Sequence, residues 1–70
     1  MPRRPRTDGL TSREVEILQL VANGLTNRQL ADQLGVSIRT VDAHLRSVYA
    51  KLNVKSRSAA TRYAVEHHLV

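Results

Sequence analysis

From Leu10 onward the apolar residues recur at helical spacing, and residues that start or stop helices stand between them. Thr11-x-x-Glu14 is a capping-box pattern, in which each side chain accepts a hydrogen bond from the other residue's backbone N–H. Val15, Ile17, Leu18, Val21 and Ala22 then form one stripe, which Asn23 and Gly24 stop. Thr26-x-x-Gln29 repeats the start signal, Leu30, Ala31 and Leu34 face inward, and Gly35 ends the second stripe. Ser37 can cap a third helix by accepting from donors near Arg39 and Thr40. Val41, Leu45, Val48 and Leu52 form its apolar face, and Asn53 is a left-handed stop. A fourth helix starts near Ser56 and runs toward His67, with Ala60, Tyr63 and Ala64 inward. No strand is expected. The pattern predicts an all-α fold, a compact four-helix domain.

Residues 1–9 break the pattern, with two prolines, three arginines and no periodic apolar residue. They read as a disordered basic arm or the stump of a linker, and 10–70 as the domain. Arg3, Arg4 and Arg6 could equally reach into a minor groove as an arm.

Composition narrows the class. A chain of 70 residues is one small domain. Its 41% hydrophobic content is too high for disorder, and with Tyr49 and Tyr63 the only aromatics the core must be aliphatic. The absence of cysteine removes disulfides, thiolate metal sites and a thiol nucleophile, and suits a reducing compartment. Apolar runs do not exceed three residues, so no membrane span is expected, and no apolar segment follows the basic start as in a secretory signal.

The second and third helices are separated only by Gly35, Val36 and Ser37, a turn short enough to force a steep crossing as in a helix-turn-helix. Ala31 is small where the helices approach, and Val41 is a β-branched anchor. Other helical proteins share such spacing, so charge has to discriminate. The net charge of +5 is unevenly placed. Residues 7–36 carry Arg13 and Arg28 against Asp8, Glu14, Glu16 and Asp32, net −2. Residues 37–63 carry Arg39, Arg46, Lys51, Lys55, Arg57 and Arg62 against Asp42 alone, net +5. On a helical wheel the apolar set of the third helix occupies one sector. Arg39, Ala43, Arg46 and Ala50 lie opposite, with Asp42 on one flank and Thr40, Ser47 and Lys51 on the other. Arginines on a ridge kept low by alanines can enter a major groove and reach base edges. A solvated face would mix its signs more evenly.

The stretch from Leu10 to Ala64 resembles the LuxR-type helix-turn-helix domain, also called the NarL/FixJ or GerE type. The matching elements are L-T-x-R-E at Leu10 to Glu14, G-L-T-N-R-Q-L-A at Gly24 to Ala31 and S-x-x-T-V-x-x-H-L at Ser37 to Leu45. K-L-x-V at Lys51 to Val54 and S-R at Ser56 and Arg57 complete them. The resemblance implies the output domain of a bacterial transcriptional regulator, binding double-stranded DNA with its third helix, about 38–52, in the major groove. It assigns base reading to Asp42, Ala43 and Arg46, and phosphate contacts to Thr26, Ser37, Thr40, Lys51 and Arg57, to which the exposed Arg39 is added. It also implies a weak or DNA-induced homodimer through the fourth helix, for which Ala60, Tyr63 and Ala64 are the candidates. RNA polymerase is a further expected partner, and the bacterial cytoplasm, at the nucleoid, the expected location. Asp42 departs from the lysine or other non-acidic residue of many members. It can accept from a cytosine amino group or pair with Arg46 four residues on.

Other chemistry has a plainer reading. His44 is expected to pack at the edge of the third helix and donate a structural hydrogen bond. His67 and His68 are adjacent, hence poorly placed to chelate one metal, and read as a frayed C-terminus favouring cations. Glu14 is accounted for by its cap and Glu16 by solvent. No nucleophile–base pair, phosphate loop or carboxylate dyad appears, so no enzymatic activity, metal or cofactor is expected. The alternative function is a helical protein-interaction module docking on an acidic partner, which would be indifferent to duplex DNA. A membrane-surface helix fits less well, since Leu45, Val48 and Leu52 are committed to the core.

Overall fold

The computed structural model describes residues 9–69. Most of the segment read as a basic arm, including Arg3, Arg4 and Arg6, lies outside the described residues, as does Val70. Four helices follow one another: α1 (Ser12–Ala22), α2 (Asn27–Leu34), α3 (Ile38–Leu52) and α4 (Arg57–Glu66). Among the described residues there is no strand.

Each helix begins as its sequence dictates. Thr11 Oγ1 accepts from Glu14 N at 3.1 Å while Glu14 Oε1 accepts from Thr11 N at 2.9 Å. Thr26 and Gln29 make the same reciprocal pair at 3.2 and 2.8 Å. Ser37 accepts from Thr40 N and Ser56 from Ala59 N, each at 3.1 Å. These bonds satisfy donors that the first turn of a helix otherwise leaves without partners.

The ends share a second device. Gly24, Gly35, Asn53 and His68 all have positive φ, and an apolar residue follows each: Leu25, Val36, Val54 and Leu69. The N–H of that apolar residue reaches back five positions, to Leu20, Ala31, Tyr49 and Ala64 in turn, at 2.8–3.2 Å. Reversing the chain in this way aims the apolar side chain back at the core. The fourth helix therefore does not fray, contrary to the expectation at His67 and His68. His68 takes the left-handed position at φ 57°, and Leu69 is only 7% exposed.

The core has two lobes joined by α3. Val41 and Leu45, in its first half, pack with Ile17 and Val21 of α1 and Leu30 and Ala31 of α2. Val48 and Leu52, in its second half, pack with Leu10, Leu18, Ala60, Ala64 and Leu69. Tyr49 lies against both. Because α1 packs against both halves of α3, α2 against the first half and α4 against the second, the helix is buried along one face and open along the opposite one.

Ala60 and Ala64 are fully buried in this core. Their small side chains let α4 approach its own chain, chiefly α1, and neither is available to a second copy. The dimer contact expected of these two alanines is thereby corrected. No helix among the described residues is long and apolar enough to cross a membrane.

Candidate nucleic-acid interface

The turn from Gly35 to Ser37 brings α2 and α3 together in the short-linked arrangement expected from the sequence. Gly35, at φ 71°, lies where a side chain would be strained even though open space surrounds it. On α3 the outward residues are Ile38, Arg39, Asp42, Ala43, Arg46, Ala50 and Lys51, while Thr40, His44, Ser47 and Tyr49 are half-buried.

Asp42, Ala43 and Arg46 thus stand together on the open face. The Arg46 side chain is 82% exposed, and its Nε lies 3.4 Å from Asp42 Oδ2. Of the two sequence readings of Asp42, the local ion pair is present in the free chain. So exposed a pair contributes only tenths of a kcal/mol to stability. Its consequence is orientation, since it biases the guanidinium along the helix and leaves its other N–H groups outward. Arg39 is also exposed, on the same face.

Ser37 and Thr40 sit at the start of α3 with their hydroxyls 3.0 Å apart, and Thr26 caps α2. Among the described residues, His44 makes none of the hydrogen bonds expected of it and is half-buried.

Lys51 and Arg57 are more deeply committed than the sequence indicated. Lys51 Nζ donates to Glu14 Oε1 at 2.7 Å, and Ser47 Oγ donates to Glu14 Oε2 at 2.6 Å. Glu14 is therefore a bridge between α1 and α3 as well as a cap. Burial pushes its carboxyl up, but the bonds from Lys51, Ser47 and the Thr11 backbone outweigh burial and hold it at about 2, against an ordinary 4.5. Arg57 donates from Nη1 to Asn27 Oδ1 at 2.7 Å and from Nη2 to the Leu25 carbonyl, tying the start of α4 to the start of α2. Sequence reasoning missed Ser47 and Asn27 as partners. The spacing of Ser47 and Lys51, four apart on one flank of α3, was the available signal.

On α4, Tyr63 is half-buried and stacks on His67, with ring centroids 3.9 Å apart. His67 Nδ1 lies 3.0 Å from the Tyr63 carbonyl, so this histidine serves the helix end. The outward residues of α4 are Ser58, Arg62, Val65 and Glu66, and Val65 is 56% exposed. Among the described residues no cluster of three or more histidines and carboxylates is placed to hold a metal ion.

A four-helix domain with a short-linked α2–α3 pair and an open, arginine-bearing α3 defines the helix-turn-helix class. The chain belongs to the luxR family of bacterial regulatory proteins, whose GerE family model matches residues 8–64. It is 43% identical over 63 residues to the transcriptional regulatory protein LiaR of Bacillus subtilis, covering 90% of this chain and 30% of that protein. It is 52% identical over 54 residues to a nitrate/nitrite response regulator protein homolog of Haemophilus influenzae, covering 77% and 26%. The response regulator VraR of Staphylococcus aureus is 41% identical over 61 residues, covering 87% and 29%. Among solved structures, the crystal structure of the response regulator ChrA of a heme-sensing two-component system superposes with a TM-score of 0.82 at 44% identity. All of this chain is covered, and 33% of that one. The chain thus spans about a third or less of the length of these relatives.

Proposed function

We propose that this chain binds double-stranded DNA sequence-specifically as the output domain of a bacterial transcriptional regulator, with α3 in the major groove. The observation that carries the reading is the division of α3. Val41, Leu45, Val48 and Leu52 lock one face into the core, and Arg39, Ala43, Arg46 and Ala50 are left on the opposite face with nothing of the chain over them. Arg46 offers a fork for the two acceptors of guanine, Ala43 a methyl for thymine, and Asp42 orients Arg46 or accepts from a cytosine amino group.

Thr26, Ser37, Arg39 and Thr40 contact phosphates: Thr26 keeps its hydroxyl proton to donate, and of the Ser37–Thr40 hydroxyl pair one proton stays available. Lys51 and Arg57 act there too, using donors left over from Glu14, Asn27 and the Leu25 carbonyl. A weak or DNA-induced homodimer forms through the outward face of α4, with Val65 and Arg62 central and Tyr63 at the margin. RNA polymerase is a further partner, and the cytoplasm, at the nucleoid, the setting.

Selection of bound sequences from a random duplex pool tests the reading. The chain is expected to enrich a defined half-site, and Arg46→Ala to erase preference at one base pair, a loss of about 1–3 kcal/mol in discrimination. An Arg46→Ala variant that keeps the full base preference and loses only overall affinity overturns the assignment, because arginine is then a phosphate contact. Equal binding of single-stranded and duplex DNA overturns groove docking altogether.

A further inference from the structure

We infer that Ile38 is a specificity residue that recognises the C5-methyl group of a thymine, on a base pair other than the one Arg46 reads. The inference rests on α3 being the groove helix and assigns a contact to a residue otherwise without a role. Ile38 is a large apolar side chain left 49% exposed, and it belongs to neither lobe of the core. The fold does not require it. The helix start is set by the Ser37 cap at 3.1 Å and the left-handed Gly35, and Val36 supplies the apolar contact of the turn. A β-branched residue also has only middling helix propensity, so local preference does not account for it.

Its position does. Residues 38, 42 and 46 form one row along the helix, each four residues from the next. The middle of that row is the Asp42 carboxylate, paired with Arg46 at 3.4 Å. An acid is repelled by phosphate, so a row centred on Asp42 does not follow the sugar–phosphate backbone and faces base edges instead. Thymine's methyl is the one apolar group that the four bases present in the major groove. A side chain stiff at χ1 loses little freedom on meeting it. Arg39 and Arg46, at neighbouring exposed positions, make this surface attractive to a polyanion and unlike the uncharged patch that a protein partner's apolar side chain would favour.

The test uses the duplex that the unmodified chain selects from a random pool, with each thymine replaced in turn by uracil, which lacks only the methyl. At one thymine the replacement is expected to weaken the unmodified chain about three- to fivefold, the worth of one buried methyl. With Ile38→Ala that position becomes indifferent to the methyl, while any thymine read by Ala43 stays sensitive in both proteins. Thermal melting checks that Ile38→Ala is folded, as its exposure leads one to expect. If the two proteins respond alike to uracil at every thymine, or if Ile38→Ala weakens all duplexes equally, Ile38 reads no methyl and the inference is overturned. If the unmodified chain selects no sequence, the reading of α3 itself has failed, a result distinct from either.

Discussion

Glu14 and Lys51 join a structural bridge to a residue proposed to contact phosphate. The exposed pair Arg13–Glu16, at 3.8 Å, is worth tenths of a kcal/mol, whereas Glu14 is buried and holds α1 to α3 through Ser47 and Lys51. Its folded-state carboxyl, at about 2, lies below the ordinary 4.5 that the unfolded chain would show. As pH falls the unfolded chain therefore takes up the proton first. The contribution of the pair is complete above about 4.5 and is lost as pH falls through about 2. Urea unfolding from pH 7 to pH 2 is expected to show this decline, and Glu14→Gln to flatten it; an identical acid profile in the variant refutes the bridge. Lys51→Ala leaves the buried carboxylate without its cation. With a lysine side chain 36% exposed and so partly screened, a loss of about 2 kcal/mol is expected at neutral pH. The same variant should weaken all duplexes alike and reduce the dependence of log affinity on log salt by about one unit. Unchanged stability would free Lys51 from any structural role.

At the scale of the element, the helix ends are what make so short a chain well defined. A left-handed residue followed by an apolar one closes all four helices, and at the last of them the pair is His68 and Leu69. Histidine is not suited to positive φ, so His68→Gly should stabilise the domain by about 1 kcal/mol. Leu69→Ala, which removes a buried side chain beneath α4, should cost about 2 kcal/mol and speed amide exchange in the last turn of that helix. Thermal melting and hydrogen exchange read both. If truncating Leu69 changes neither, the chain end is not part of the core. The same element shows why the alanine pair is internal. Ala60 and Ala64 permit close approach, and the surface they approach is α1 of their own chain.

For the whole molecule, the division of charge matches the division of packing. α1, with Arg13 against Glu14 and Glu16, and α2, with Arg28 balanced by Asp32, lie behind α3, and the positive segment 37–63 carries the open face. Such a distribution orients an approaching polyanion and makes binding strongly salt-dependent. On the outer face of α4, which we propose as the pairing surface, Val65 is the exposed apolar residue. Val65→Glu should leave the stability of the isolated chain, read by thermal melting, unchanged within about 0.5 kcal/mol. It should also abolish joint occupancy of repeated half-sites, because linked contacts compound affinity only while the second contact exists. Footprints in which the variant still fills both half-sites together would place the contact elsewhere.

The helix starts, their apolar faces, the short α2–α3 turn and the outward ridge of α3 were all legible in the sequence. Each depends on residues within a turn or two of one another, through caps at three residues and faces at three and four. The destination of the side chains that reach across the fold was not legible. Glu14 meets Ser47 and Lys51 more than thirty residues away, and Arg57 meets Asn27 thirty away. Nothing local distinguishes such a charge from a solvated one. The alanines of α4 and the last residues of the chain are of the same kind. A small side chain allows close packing without naming the partner, and His68 and Leu69 become a helix end only because the core beneath α4 receives the leucine. Local spacing determined the elements and the exposed face of α3. The packing of α1, α2 and α4 on α3 determined which polar groups hold the molecule together and which remain outward, because burial and long-range partners exist only once the chain has closed on itself.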